Sequence, residues 1–179
     1  MSHTKEIIFT IGHSTLSIDE FIALLKEHNI QEVVDIRTVP KSRHNPQFNH
    51  EVLSASLHNH HIGYCHIKDL GGFRKVQPHS INIAWRNASF RGFADYMQTD
   101  QFTQALNLLI EKAAKKRTVI MCAEAVPWRC HRSLIADALL VYGYDVQEII
   151  GHTTRAHSLT PWARVHNKQI IYDKKVKNE

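Results

Sequence analysis

Two hydrophobic rhythms alternate along the chain: short continuous apolar runs of strand length, and longer stretches with apolar residues three and four apart. EIIFTIGHS, residues 6–14, opens the series as a strand ending at Gly12, His13 and Ser14. Ser17, with Glu20 three positions on, has the signature of a capping box at a helix start. Ile18, Phe21, Ile22 and Leu25 then share one helical face. QEVVDIR, residues 31–37, reads as a second strand. The following TVPKSRHNPQFNH is a loop, because Pro40 and Pro46 lack the amide hydrogen that regular structure requires. Its Lys41 and Arg43, with Arg37, make it electropositive.

Residues 51–60 are predicted helical, and IGYCHIKDLGG is a strand running into a turn at Gly71–Gly72. The stretch from Phe73 to Asn87 has no period. Phe90, Phe93, Ala94 and Met97 repeat on a helical face. Asp100 is the expected cap of the next helix, which carries Phe102, Leu106, Leu109 and Ile110 and ends among Lys112, Lys115 and Lys116, where the helix dipole favours cations. TVIMC, residues 118–122, is a buried-looking strand; a loop leads from it to a helix over His131–Tyr142, with Gly143 as its stop. DVQEII is a further strand, and QIIYD near the end is expected as an edge strand.

Strands alternating with helices predict a Rossmann-like α/β fold, a mainly parallel sheet with helices on both faces. The expected organisation is a single domain over 1–179, with its core at about 7–150 and a C-terminal extension at 151–179. Ligands of such sheets gather outside the carboxyl ends of the strands. Three predicted strand ends carry reactive groups there: Gly12-His13-Ser14, Asp35-Ile36-Arg37 and Cys122-Ala123-Glu124.

Composition narrows the classes. With 179 residues, 43% hydrophobic and 22% charged, the chain can build a core without disulfides. It holds no apolar run of membrane-spanning length, and its start, MSHTKEIIFT, lacks the features of a secretory signal. A cytoplasmic location is the expectation, with no membrane partner. The cysteines Cys65, Cys122 and Cys130 are odd in number, which fits thiols or metal ligands rather than a disulfide framework. A formal charge of +5 favours anionic partners: a phosphate-bearing small molecule or nucleic acid. Nothing in the sequence assigns a cofactor or an oligomeric state.

The densest chemistry lies in CAEAVPWRCHR, Cys122 to Arg132. A cysteine at a strand end, followed by a loop and a helix start, is placed where backbone N–H groups favour negative charge. Arg129, His131 and Arg132 would lower a thiol pKa further. Either Cys122 or Cys130 is the candidate nucleophile, against the plain reading of Cys122 as a small core residue. Glu124 is a candidate general base, substrate ligand or metal ligand; its bland alternative is an ion pair with Arg129 or Arg132. Trp128 stacks on a planar ligand or under its own loop. Spacing excludes other sites: Cys122 and Arg129 have six intervening residues, not the five of cysteine phosphatases, and no C-x-x-C, Walker or GxGxxG motif occurs. His44, His50, His58, His60, His61 and His66 crowd one region, but no HExxH or paired Cys/His spacing marks a metal site, so solvated loop histidines are the expectation.

TIGHS at 10–14, VVDIRTVPKSR at 33–43, LGG at 70–72, FADYMQTDQF at 93–102 and MCAEAVPWRCHR at 121–132 together resemble the domain of unknown function 488 family, in order over about residues 7–150. The resemblance implies a Rossmann-like α/β domain and no particular reaction. It also implies site positions at Gly12, His13, Ser14, Asp35, Arg37, Cys122, Glu124, Cys130, His131 and Arg132. The chain departs from the family's V-x-H-I ending: Glu148 stands at the histidine position, and His152 follows four residues later.

The expected role that results is an enzyme with a cysteine-centred, anion-binding site, acting on a phosphate-bearing substrate such as a nucleotide or nucleic acid. Cys122, Glu124, Cys130 and His131 are its catalytic set. Gly12, His13, Ser14, Asp35, Arg37 and Arg132 are its substrate-binding set, and no metal is assigned. One alternative is a non-catalytic nucleic-acid-binding module using Lys41, Arg43, Lys68, Arg74 and Arg86. Another is a metal-binding protein using Cys122, Cys130, Glu124 and a histidine.

Overall fold

A computed structural model of the protein describes residues 5–175. Five parallel strands form the body of the sheet: β1 (Ile7–Gly12), β2 (Glu32–Asp35), β3 (Gly63–His66), β4 (Thr118–Cys122) and β5 (Asp145–Ile150). A sixth, β6 (Thr153–Ala156), runs antiparallel against β5, in the order β3-β2-β4-β1-β5-β6. This is the predicted α/β, mainly parallel, Rossmann-like arrangement.

The central strands β1, β2 and β4 are buried on both faces, and side chains divide by parity. Phe9, Ile11, Val33, Val119 and Met121 point to one face, under α1 (Ile18–Glu27) and α2 (His50–His58), and meet Phe21, Leu25, Leu53 and Leu57. Ile8, Val34, Ile120, Cys122 and Val146 point to the other, under α3 (Ala88–Tyr96), α4 (Asp100–Lys115) and α5 (Arg132–Val141). Gly12 lies beside Cys122, and Asp35 beside Met121, so the carboxyl ends of β1, β4 and β2 form one contiguous edge.

Local chemistry sets the helix ends. The capping box of α1 is complete, with Ser17 Oγ accepting from the Glu20 amide and Glu20 accepting from the Ser17 amide. Thr99, not Asp100, caps α4: its hydroxyl accepts from the Phe102 amide, while Asp100 is the first helical residue, where a negative charge suits the dipole. Residues 73–87 are irregular, and the buried carboxylate of Asp95 fixes them, accepting from the Gln77 amide, the Ser80 hydroxyl and the Asn82 side-chain amide.

The C-terminal extension corrects one expectation. The edge strands of the main sheet are β3 and β6; the QIIYD segment forms β8 (Gln169–Ile171), which pairs with β7 (Arg164–His166) in a separate two-stranded sheet. Asn167 and Lys168 join them with φ of 48° and 65°, the left-handed pair that a two-residue hairpin turn demands. Ile170 and Tyr172 are buried in the core under α3–α5, so the segment crosses a helical layer and cannot lie along the sheet edge.

A polar cluster holds the extension down. Asp137, fully buried in α5, accepts from His157 Nε2 (2.8 Å), the Thr160 amide (3.1 Å) and hydroxyl (2.7 Å), and the Tyr172 hydroxyl (2.8 Å). The other ring nitrogen of His157 meets Glu148 at 2.8 Å. Burial alone would lower the His157 pKa, but the bonds to Asp137 and Glu148 outweigh it and push it up to about 9. A histidine pKa raised on folding adds stability that is complete below the unfolded value of 6.5 and is lost as pH rises through about 9. His157→Gln should therefore cost about 3–5 kcal/mol in mildly acidic solution, as expected for breaking a buried pair. The deficit should shrink as pH rises through about 9, followed by denaturant unfolding across pH. A deficit independent of pH would mean that the imidazole is neutral.

Candidate active site

The site is built where the loop after β4 folds back on the first turn of α5. The loop rises from Cys122, makes a tight helical turn at Pro127–Arg129, and returns Cys130 to face Cys122, with Sγ–Sγ 2.9 Å apart. Arg132 holds this shape. It is fully buried, and its Nη1 donates to Cys122 Sγ (3.1 Å) and the Glu124 carbonyl (2.8 Å), while Nη2 donates to the Ala125 carbonyl (3.1 Å). A cation in the first turn of a helix is disfavoured by the dipole by about 0.3–1 kcal/mol. Two carbonyls and a sulfur, all presenting negative charge, offset that. Gly12 leaves the room: a Cβ there would stand 1.6 Å from the Glu124 carbonyl oxygen and 2.6 Å from Arg132 Nη1.

The two thiols are not equivalent. Burial raises the Cys122 pKa, but the hydrogen bond from Cys130 and the Arg132 guanidinium outweigh it and leave it lowered. Cys130 is raised well above the usual thiol range, chiefly because its proton is shared with Cys122 and secondly by burial. Of the two, ionisation is therefore favoured at Cys122, with Cys130 as the hydrogen-bond donor. Next to it, His131 Nε2 donates to the carbonyls of Ile36 and Leu70, each at 3.0 Å, which fixes that nitrogen as the protonated one. Burial lowers the His131 pKa to about 4, so the ring is neutral at pH 7, and Nδ1 presents a lone pair 3.5 Å from Cys130 Sγ. The LGG turn closes against this ring; a Cβ on Gly72 would stand 2.7 Å from Nδ1.

The other strand ends form a supporting layer. Arg37 makes two parallel bonds to Asp35, Nε to Oδ1 at 2.9 Å and Nη2 to Oδ2 at 2.7 Å, and Nη2 also donates to the Phe48 carbonyl (2.8 Å). Tyr64 donates its hydroxyl to Asp35 at 2.6 Å, and burial together with that carboxylate raises the Tyr64 pKa. His13 stacks on Phe48 with ring centroids 4.2 Å apart. Its Nδ1 donates to the Ser14 carbonyl (2.8 Å), and Nε2 accepts from Arg37 (3.5 Å). Burial lowers the His13 pKa.

A cleft of about 430 Å³ opens above the thiols. Of the sequence-derived residues, Arg37, Cys122, Glu124, Cys130 and His131 line it. Gly12, His13, Ser14, Asp35 and Arg132 lie beneath or beside it. Arg132 takes neither expected partner: it faces Cys122 sulfur and the loop backbone, not the Glu124 carboxylate or the open cleft, because its first-turn position aims the side chain under the loop. Lys41 and Arg129, both exposed, are the cleft's free cations among the described residues. Sequence reasoning missed Phe73 and Phe90 as walls; Phe73 follows the LGG turn, and that adjacency was the available signal. It also missed His157. His152 is exposed and pairs with Glu27, so the imidazole that meets Glu148 comes from His157.

The histidine-rich segment does not converge. His60 accepts from Lys26 Nζ, His66 donates to the Arg37 carbonyl, and among the described residues no group of three or more His, Cys, Asp and Glu could hold a metal ion. A larger depression of about 700 Å³, beside Trp85 and Trp162, contains no cysteine or histidine.

Gly12→Ala tests the architecture. The clash is with backbone, which cannot swing aside, so a destabilisation of about 1–3 kcal/mol is expected. Displacement of the Glu124 carbonyl should also slow Cys122 alkylation in the folded protein. Wild-type stability and reactivity in Gly12→Ala would show that the loop does not rest on β1.

No helix is long and apolar enough to cross a membrane among the described residues. No curated protein and no solved structure matches the chain significantly. The sequence profile of one family, the domain of unknown function DUF488, matches residues 17–139, a span that runs from the cap of α1 through the thiol loop and into α5. With that match covering more than half of the chain, the protein belongs to the DUF488 family.

Proposed function

We propose that the protein is an enzyme whose nucleophile is the Cys122 thiolate, acting on a phosphate-bearing substrate such as a nucleotide or nucleic acid. The observation that carries this reading is the Cys122 sulfur, 3.1 Å from a buried guanidinium and 2.9 Å from a thiol donor, at the floor of a cleft over the strand ends. An activated thiolate there attacks the electrophilic centre of the substrate, forming a covalent bond to sulfur as the leaving group departs. Cys130 returns its hydrogen bond to the sulfur when the thiolate is regenerated. Glu124, exposed at the cleft mouth, takes the proton of the water that releases the intermediate. Neutral His131 is the proton acceptor for Cys130. The anion is gripped by Lys41 and Arg129, the exposed cations of the cleft. Arg132 and Arg37 are positioning residues, since their terminal Nη2 or Nη1 groups are bonded to fixed internal partners rather than turned into the cleft.

A non-catalytic nucleic-acid module has less support. Arg74, central to the basic stripe that reading needs, lies 3.6 Å over the Tyr96 ring and bonds the Gly71 carbonyl.

Two measurements test the enzyme reading. Iodoacetamide at about pH 6 should label Cys122 at least about tenfold faster than Cys65, whose pKa burial raises, and Cys130→Ser should move that advantage to higher pH. Labelling of all the thiols together, rising only near pH 8–9 as for unperturbed cysteine, overturns the nucleophile. Inorganic phosphate or a nucleotide should raise the melting temperature, and Lys41→Gln with Arg129→Gln should abolish that rise without changing the melting temperature of the free protein. A wild type indifferent to these anions overturns the substrate class.

A further inference from the structure

The facing thiols permit a second chemistry, which rests on the same Cys122 thiolate as the reading above. We propose that Cys122 and Cys130 are a peroxide-responsive pair that closes to a reversible intramolecular disulfide and so switches the site off. The sulfurs are 2.9 Å apart, and a disulfide bond is about 2.05 Å long, so closure asks for less than about 1 Å of motion. Side-chain torsions of the two cysteines can supply a shift of that size, so the loop carbonyls held by Arg132 need not move. Both cysteines border the cleft but are buried, at 2% and 6% exposure, so entry from the cleft is confined to an oxidant as small as peroxide. Cys65 has no part in this: it belongs to β3, two strands away from β4.

The steps balance with hydrogen peroxide as the oxidant. The Cys122 thiolate attacks one peroxide oxygen, the O–O bond breaks, and Cys122 becomes a sulfenic acid as hydroxide leaves and is protonated to water. Cys130 then gives its proton to His131 Nδ1, 3.5 Å away, and its sulfur attacks Cys122 Sγ. The S–S bond forms, the S–O bond breaks, and the departing hydroxide takes the proton from His131 as a second water. The pair, a thiolate and a thiol, has lost two electrons and the one proton of Cys130; with one further proton taken from solvent by the first hydroxide, the peroxide has become two waters.

Arg132 makes the change reversible. In the dithiol state its buried charge faces a thiolate; in the disulfide state that counter-charge is gone while the guanidinium stays enclosed. Folding therefore favours the reduced form, which makes the disulfide easy to reduce, as for other disulfides whose reduced thiolate is stabilised. The oxidised loop has no nucleophile.

The test uses the whole wild-type protein and hydrogen peroxide at stoichiometric amounts. Loss of alkylatable Cys122 and Cys130 together is expected, at least about tenfold faster than loss of Cys65. A Cys122–Cys130 cross-linked peptide should appear in a non-reducing digest, and glutathione should restore both thiols. Cys130→Ser should stop at a Cys122 sulfenic acid that dimedone captures. Wild-type Cys122 oxidised to sulfenic or sulfinic acid while Cys130 still alkylates would overturn the switch. So would rapid acid-pH labelling of Cys122 with no cross-link under peroxide, an outcome that leaves the enzyme reading standing. A cross-link that forms no faster than Cys65 oxidises overturns the activated thiolate, and both readings with it.

Discussion

Arg132 is a full positive charge placed where a helix start and a closed interior both oppose it. Such a group needs negative charge around it: its Nη atoms meet a sulfur and two carbonyls, while its Nε is buried without a partner. Those acceptors lie on β4 and the loop after it. The guanidinium therefore dictates how the loop folds, which brings Cys130 over Cys122 and exposes Glu124 at the cleft mouth. Gly12 on β1 is a consequence of the same packing, since nothing larger fits under the loop that Arg132 draws down. A lysine could not replace it: one ammonium cannot reach along two directions at once as the planar fork does.

The helix that carries Arg132 also carries Asp137, and both are fully buried. One charge organises the loop in front of the helix; the other, five positions on, collects His157, Thr160 and Tyr172 from the C-terminal extension. The floor of the cleft and the attachment of the extension thus share one rigid element. Glu148 belongs to the same arrangement. Its carboxylate, within β5, meets the imidazole of His157 nine residues later.

Much of this was legible in the sequence because it is periodic or local. The capping box at Ser17 and Glu20, the apolar run of β4 and the stop at Gly143 each rest on a few neighbouring residues, and each is where the pattern places it. The cluster of Cys122, Cys130 and His131 was readable for the same reason, being adjacent in the chain. What could not be read was direction. Arg132 is one residue past His131, yet one turns beneath the loop while the other faces the cleft, and only the packing of α5 against β4 and β1 separates them. The C-terminal extension was obscure for a related reason: β7 and β8 are three residues each, too short for a period, and their placement is decided by Ile170 and Tyr172 finding the core.

The division between buried and exposed cations bears on how the site handles charge. Arg37 and Arg132 are spent on fixed partners, Asp35 and the thiol pair, so each contributes little net field to the cleft. Lys41 and Arg129 have no such debt, and they stand on opposite loops, one after β2 and one after β4. If the proposed reading holds, an anion entering between them meets the thiolate form of Cys122 unless the substrate's electrophilic atom lies deeper than its charge. Arg132 eases that conflict from below, because it holds the thiolate's charge inside the protein and leaves the outer cations to act on the substrate. On the proposed reading, the buried arginine and the exposed pair divide the work: one favours the ionised form of the Cys122 thiol, and the other draws an anion towards it.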